Sequence, residues 1–323
     1  MSHMSTQCRV ALFNFITHIN KLAEIVRTML KFKDHKLEYF ILIIGLIFIH
    51  AFLMCNAFDG KSINSENANQ FGSFIGGYVG SIFTLFSIFL LIITLRDQAR
   101  NNFENNFLEL VKFHRENVDK MEIKQHRSLK VFVMYTREFR KLLTIVKEVA
   151  KAHNLYFNSL ENKRTILNIT YLSFFFGTGP NSSRVLQKYL KDVDEKLIDN
   201  LISKMNSSKE EYKKSFGYTP FEGHQSRLGH YFRHLYHTVN FVHNSNYSQE
   251  KKRELLKILR SQLTNHEQAI LYFNSLSSVG KDWDNKNLIR DYKLIKNLPE
   301  GFIDEEREIN PKLIYDFLYE YEE

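Results

Sequence analysis

The amino-acid sequence predicts an all-α protein: a two-span transmembrane helical hairpin followed by a cytoplasmic helical bundle. Three observations predict it. Residues 71–95, FGSFIGGYVGSIFTLFSIFLLIITL, carry no charge, and they exceed the roughly 20 apolar residues that cross a bilayer's hydrocarbon core. A second uncharged run, 39–58, is interrupted only by His50 and Asn56. Finally, the 323 residues hold only four prolines and 13 glycines, with no sustained strand alternation, which leaves helices as the default element.

Residues 1–38 form an N-terminal amphipathic region. Leu12, Ile16, Ile19, Ala23, Val26 and Leu30 repeat as a heptad-like stripe over 8–33, with Arg9, Lys21, Arg27 and Lys31 off it. Such a helix suits an anionic headgroup layer or a partner helix. Residues 39–95 are the hairpin, with spans 39–58 and 71–95 joined by a short polar link. Six Lys and Arg precede the first span, the link holds only Lys61, and Arg96 and Arg100 follow the second span. That asymmetry places both termini in the cytoplasm and the chain in the cytoplasmic (inner) membrane as a multi-pass protein. His50 marks an ion path or, more simply, a hydrogen-bonded packing residue. Gly72, Gly76 and Gly80 repeat at G-x-x-x-G spacing on one face of the second span. Small residues at that spacing let helices approach closely in lipid, so the expected partners are the bilayer and further copies of this chain.

Residues 96–122 read as a helical stalk, because Phe103, Phe107, Leu110 and His114 prolong the stripe and no Gly or Pro intervenes. Residues 123–299 read as the cytoplasmic helical domain. Its helices are expected near 127–155, 160–176, 181–206, 208–215, 228–244, 249–275 and 284–297, with a last one near 311–321. Ser207 and Glu210 have the spacing of a capping box at the start of the fourth. Punctuation is densest in GYTPFEGHQSRLG, residues 217–229, which reads as a loop. Residues 300–323 form an acidic C-terminal tail.

Between Arg96 and Pro299 there are 35 Lys and Arg against 22 Asp and Glu, whereas residues 300–323 hold nine acidic and two basic residues. A basic body suits phosphate-rich partners such as RNA, an anionic membrane surface, or simply a solvated exterior. The two cysteines, Cys8 and Cys55, offer neither a disulfide framework nor a metal pattern, so no cofactor is expected. GTGPNSS at 177–183 lacks the Lys-Ser/Thr ending of a phosphate-binding loop and reads as a turn.

Chemistry concentrates in two helices. Five of the 13 histidines fall between 224 and 243. At 100° per residue, Leu228, Phe232, Leu235, Val239 and Val242 make one apolar face, and His230, His234 and His237 line the opposite one with Arg233 at its edge. Near-neutral imidazoles beside a guanidinium suit acid–base work on a phosphate; a polar face covered by a partner helix fits equally. No acidic or cysteine ligand joins them at metal spacing, so no metal is expected. In the next helix His266 falls within the stripe of Leu255, Leu259, Leu263, Ile270 and Phe273, while Arg260, Glu267 and Asn274 share an adjacent face. Helical ribonucleases of the HEPN type carry Arg followed by His after four to six residues. Arg227 with His234 and Arg260 with His266 fit that loose pattern, although six residues turn the second pair about 120° apart on one helix.

Three stretches resemble the phage abortive infection protein family (abortive infection protein C-like). They are QFGSFIGGYVGSIFTLFSIFLLIITLRDQ continuing through NNFENNFLELVKFHRENV, then GHQSRLGHYFRHLYHTVNFV, then LLKILRSQLTNHEQAILYFNSLS with RDYKLIKNL, together covering about 70–298. The positions matching its recurring pattern are Tyr231, Arg233, Leu235, His237, Arg260, Gln262, Leu263, Glu267 and Asn274. The resemblance implies a membrane-anchored bacterial antiviral protein that aborts phage multiplication at the cost of the host cell. It brings no established catalytic residues. Two mechanisms therefore stand side by side. In one, the domain senses a phage protein or other phage component and cleaves RNA, with Arg233, His234, His237 and Arg260 as catalytic candidates. His230, Tyr231, His266, Glu267 and Asn274 then form the surrounding polar surface. In the other there is no enzyme, and spans packed through Gly72, Gly76 and Gly80 oligomerise and compromise the membrane.

Overall fold

The computed structural model describes residues 65–179, 182–303 and 309–315, with shorter pieces at Phe40, 43–47, 58–59 and 62–63. The expected N-terminal amphipathic helix and most of the first span lie outside these residues, as do 304–308 and 316–323 of the acidic tail; Phe40 and 43–47 are helical. The chain divides into two compact units, Met1–Ala99 and Arg100–Glu323.

In the first unit, β1 (Phe58–Asp59) pairs antiparallel with β2 (Ser62–Ile63), Phe58 opposite Ile63, so the polar link turns tightly. Helix α1 (Ser65–Phe74), a π turn (Ile75–Val79) and α2 (Gly80–Asp119) follow without interruption. Among the described residues, Ala68–Asp119 is one helix long and apolar enough to cross a membrane. Its most apolar stretch is only 6% buried, and Leu85 is 73% exposed, unlike the core helix of a water-soluble fold. The hydroxyls of Ser81, Thr84 and Thr94 donate to the carbonyls of Gly77, Gly80 and Leu90, four residues back, at 2.5, 2.9 and 3.0 Å. Each thereby satisfies itself within its own helix, as apolar surroundings require. Added Cβ atoms at Gly72 and Gly76 would meet nothing within 4 Å, and one at Gly80 would meet only the Ile75 carbonyl oxygen of its own helix, at 3.4 Å. The glycine stripe is thus open, and the π turn inserts an extra residue into its register.

The second unit is a helical bundle. Phe107, Val111, His114 and Val118 are buried at spacings of four, three and four along the C-terminal part of α2. The helix ends at Asp119, three residues before the expected Glu122, because β3 (Glu122–Ile123) folds back on β4 (His126–Arg127). The central element is α3 (Leu129–Ala152). It packs against α4 (Leu160–Phe176), α6 (Glu195–Phe216) and α9 (Asn265–Ser275). Phe139 of α3 stacks on Phe273 of α9 with ring centroids 3.8 Å apart.

Three expected helices are divided in the structure, each for a local reason. The expected helix over 181–206 is divided into α5 (Ser182–Tyr189) and α6. Asp194 makes the break: its carboxylate accepts the Lys196 N–H at 3.1 Å, capping α6. No new helix starts at Ser207, whose hydroxyl donates to the Lys204 carbonyl at 2.9 Å from within α6. Gly217, in the left-handed region, ends α6. The expected helix over 249–275 is likewise two, α8 (Gln249–Ser261) and α9. Here Thr264 and Glu267 form the capping box that restarts the chain. Between them and α6 lies α7 (Gln225–His243). Beyond α9 come two one-turn helices, α10 (Lys281–Asn285) and α11 (Leu288–Tyr292), where one helix over 284–297 was expected. Asn287 and Lys293, both at positive φ, interrupt it. Finally α12 (Lys312–Tyr315) sends the Tyr315 hydroxyl to Ser275 Oγ at 2.8 Å.

The loop before α7 is pinned by two backbones in contact. Gly177 sits at φ +77°, and a Cβ there would lie 2.2 Å from the Glu222 carbonyl carbon. Gly223, at φ +92°, would place one 2.2 Å from the Phe176 carbonyl oxygen. The Thr178 N–H donates to Phe221 O at 3.0 Å and the His224 N–H to Phe175 O at 2.9 Å. Only glycine at both positions allows this crossing, and the crossing fixes where α7 begins.

Candidate functional site

Helix α7 presents three surfaces, and its apolar face is the one the sequence identified. Leu228, Phe232, Leu235, Val239 and Val242 are all buried. Of the opposite face, His230 and His237 are exposed while His234 is half-buried. His234 is covered by His114 of α2, the ring centroids 5.8 Å apart and nearly parallel. His114 also lies 4.9 Å from the Tyr231 ring. Burial, with the charges of His234 and Arg115 adding to it, pushes the His114 imidazole down to about 3. Burial also lowers His234, with His230 and His237 contributing. Both imidazoles are therefore held neutral.

Next to this pair is a buried carboxylate. Glu267 Oε2 accepts the Thr264 N–H at 2.9 Å and the Thr264 hydroxyl at 2.8 Å. Its Oε1 receives a long 3.4 Å bond from the Tyr231 hydroxyl, and Arg115 Nη1 stands 3.8 Å from Oε2. Burial raises the Glu267 carboxyl against the pull of these partners. Arg115 also donates to the Gln262 carbonyl at 3.3 Å, so it ties α2 to the α8–α9 break.

The polar line expected from Arg260, Glu267 and Asn274 is dispersed, since Arg260 belongs to α8 and the other two to α9. Arg260 is buried, and its Nη1 donates to the Lys293 carbonyl at 3.2 Å. His266 accepts or donates at 3.1 Å to Thr136 Oγ1, packs edge-on to Phe302, and is lowered first by burial and then by the Arg140 charge. Arg227 is exposed in the first turn of α7. Among the described residues, no group of three His, Cys, Asp or Glu side chains is placed to hold a metal ion.

A second buried carboxylate, absent from the sequence reading, holds the loop before α7. Glu138 of α3 is fully buried. It accepts the Tyr218 hydroxyl at 2.5 Å and the Phe221 N–H at 2.8 Å, and His224 Nε2 makes an ion-pair contact at 3.0 Å. Burial alone would push this carboxyl up, but the His224 imidazole and the bonds from His224, Tyr218 and Phe221 outweigh it and hold it below its ordinary value. Three residues of one seven-residue stretch therefore converge on a single side chain.

The third surface of α7 opens on a cleft of about 560 Å³, within the range of small-molecule sites. Gln225, Ser226, Gly229, Phe232, Arg233 and Tyr236 line it from α7; Phe175, Asn274, Val279, Gly280, Asp282 and Trp283 complete it. Asn274 organises the far wall. Its Nδ2 donates to the Tyr171 hydroxyl at 2.9 Å, and its Oδ1 accepts the Trp283 indole N–H at 3.0 Å. A Cβ on Gly280 would lie 2.0 Å from the Asn274 carbonyl oxygen, so glycine lets the 277–280 turn close on α9. Tyr236 meets Trp283 edge to face at 5.2 Å. Arg233 is exposed and folds back so that Nε donates to the Gly229 carbonyl at 3.0 Å. Of the sequence candidates, this cleft brings together Arg233 and Asn274; His230, His234 and His237 lie elsewhere on α7. Trp283 and Asp282 were missed, although a lone tryptophan among helices was a visible signal.

Residues 223–303 match the family model described as Putative phage abortive infection protein. Neither the curated proteins nor the solved structures give a significant match. The matched segment begins at the Gly177–Gly223 crossing and contains every residue lining the cleft except Phe175.

Proposed function

We propose that this chain is a membrane-anchored protein of phage defence by abortive infection, whose helical domain recognises an infection-derived component in the α7 cleft and then harms the host cell. The observation that carries the reading is that the cleft is built almost wholly from the segment matching the family. The apolar part of the Ala68–Asp119 helix supplies the anchor in the cytoplasmic membrane. The span over 39–58 makes it a hairpin with both termini in the cytoplasm, and the open glycine stripe supports self-association in lipid.

Recognition is favoured over RNA cleavage at the histidines by the arrangement of the charged groups. An acid–base site on phosphate needs a cation and an imidazole converging on one substrate. Arg260 is instead buried against a backbone carbonyl, and His234 is packed on His114. His230 and His237, both exposed beside Arg233, are the groups a nuclease reading would use.

Gly229 provides the test. A Cβ there would touch only the Phe175 ring, at 3.8 Å, so Gly229→Ala fits and Gly229→Leu intrudes on the cleft beside Phe175 and Arg233. Cells expressing each variant are challenged with phage, and plating efficiency is scored against protein level. Protection should persist with alanine and disappear with leucine. Protection surviving Gly229→Leu at normal protein level would remove the cleft from the mechanism.

A further inference from the structure

The geometry points to a nucleotide as the occupant of the α7 cleft: a flat base on the Tyr236 ring and a phosphate on Arg233. This rests on the cleft being a recognition site and names its ligand class. The inner wall is apolar, and Gln225 and Ser226 of α7 add exposed polar groups to the lining. The Trp283 indole N–H is already spent on Asn274, and the Asn274 amide is spent at both ends. Phe175 and Trp283 are buried in the floor of the cleft, so the half-buried Tyr236 ring, with Lys286 Nζ 5.3 Å from its centroid, is the one that offers a face for base stacking without strict sequence preference.

The rim is charged, and differently on its two sides. Arg233 has Nε locked to the Gly229 carbonyl, which orients the guanidinium and leaves both Nη nitrogens for a forked anion contact. No carboxylate pairs with it among the described residues. Asp282, exposed at the start of α10, is an acceptor suited to an exocyclic amino group or a ribose hydroxyl. A ring, a neighbouring anion and a donor on the ring side are the features of a nucleotide. An aliphatic lipid tail would leave the rim charges unused. The same chemistry comes from a free nucleotide or from the terminal nucleotide of an RNA.

Trp283 is the only tryptophan in the chain, so its emission reports the cleft directly. The full chain in lipid nanodiscs is titrated with AMP, adenosine, inorganic phosphate and a short oligoribonucleotide bearing a 5′-phosphate. Saturable quenching by AMP is expected, with adenosine about tenfold weaker and phosphate alone silent. Arg233→Ala should weaken AMP about tenfold and leave adenosine unchanged, since one charged contact is worth roughly that factor; Arg233→Lys should restore part of it. Saturation by AMP identifies a free nucleotide, and saturation by the oligonucleotide alone identifies an RNA end. Silence with both AMP and the oligonucleotide at millimolar concentration would overturn the inference, as would affinities indifferent to Arg233→Ala. If nucleotides fail while Gly229→Leu still abolishes protection, the ligand assignment falls and the cleft stands; a peptide then becomes the occupant.

Discussion

Replacing Glu138 by alanine tests whether one buried carboxylate holds the entrance to α7. The change removes the acceptor for the Tyr218 hydroxyl at 2.5 Å and the Phe221 N–H at 2.8 Å, together with the His224 contact at 3.0 Å. Truncating one partner of a buried ionic group costs about 3–5 kcal/mol, because the remaining polar groups stay buried without an acceptor. Each kilocalorie lowers the melting temperature of a domain this size by about 2–4 °C, so a fall of about 10 °C is expected. Glu138→Gln keeps the volume and one acceptor oxygen, and should cost about 1–3 kcal/mol. The depressed carboxyl gives a pH signature. Its stabilisation is complete above the ordinary value of 4.5 and is lost as pH falls from there through the lower folded-state value. The gap between wild type and Glu138→Gln should therefore narrow below pH 4.5. Thermal melts of the full chain in detergent, followed by circular dichroism from pH 3.5 to 7, measure both effects. A shift for Glu138→Ala of less than about 1 kcal/mol, or a gap that does not change with pH, would refute the reasoning.

Two further substitutions test other contacts. Gly177→Ala forces a Cβ to 2.2 Å from the Glu222 carbonyl carbon at a positive φ and should destabilise by at least about 2 kcal/mol; a melting temperature within error of wild type would show that the crossing relaxes freely. His114 is held neutral when folded, at about 3 against 6.5, so its contribution is lost as pH falls below 6.5. Between pH 7 and 4.5 that loss is about 2–3 kcal/mol. His114→Phe should remove it, and an acid sensitivity equal to wild type would place the titration elsewhere.

The legible parts of this fold were those governed by helical period. The apolar face of α7 was correct at every residue because amphipathicity depends only on local spacing. The capping signals were not legible in the same way. Ser207-x-x-Glu210 and Thr264-x-x-Glu267 have identical spacing, yet only the second starts a helix. Ser207 stays inside α6 with its hydroxyl turned back to Lys204, whereas Glu267 is buried among Thr264, Tyr231 and Arg115. That choice is made by tertiary partners. The same holds for the histidine face, where His234 looked as open as His230 until α2 laid His114 across it. Glu138 gave no sequence signal, because its partners lie about 80 residues downstream.

The bond from Arg115 to Gln262 spans 147 residues, and that separation has a consequence for biosynthesis. At the usual 5–20 residues per second, the ribosome takes roughly 7–30 s to deliver the second partner after the first. For most of that interval the inward face of α2, with Phe107, Val111 and His114, lacks the Tyr231 and His234 rings of α7, which follow His114 by 117 and 120 residues. The nascent chain therefore displays an apolar ridge for many seconds before its seam can close. Holdase chaperones and the timing of translation then become determinants of yield, and slow codons between α2 and α9 would lengthen the exposure.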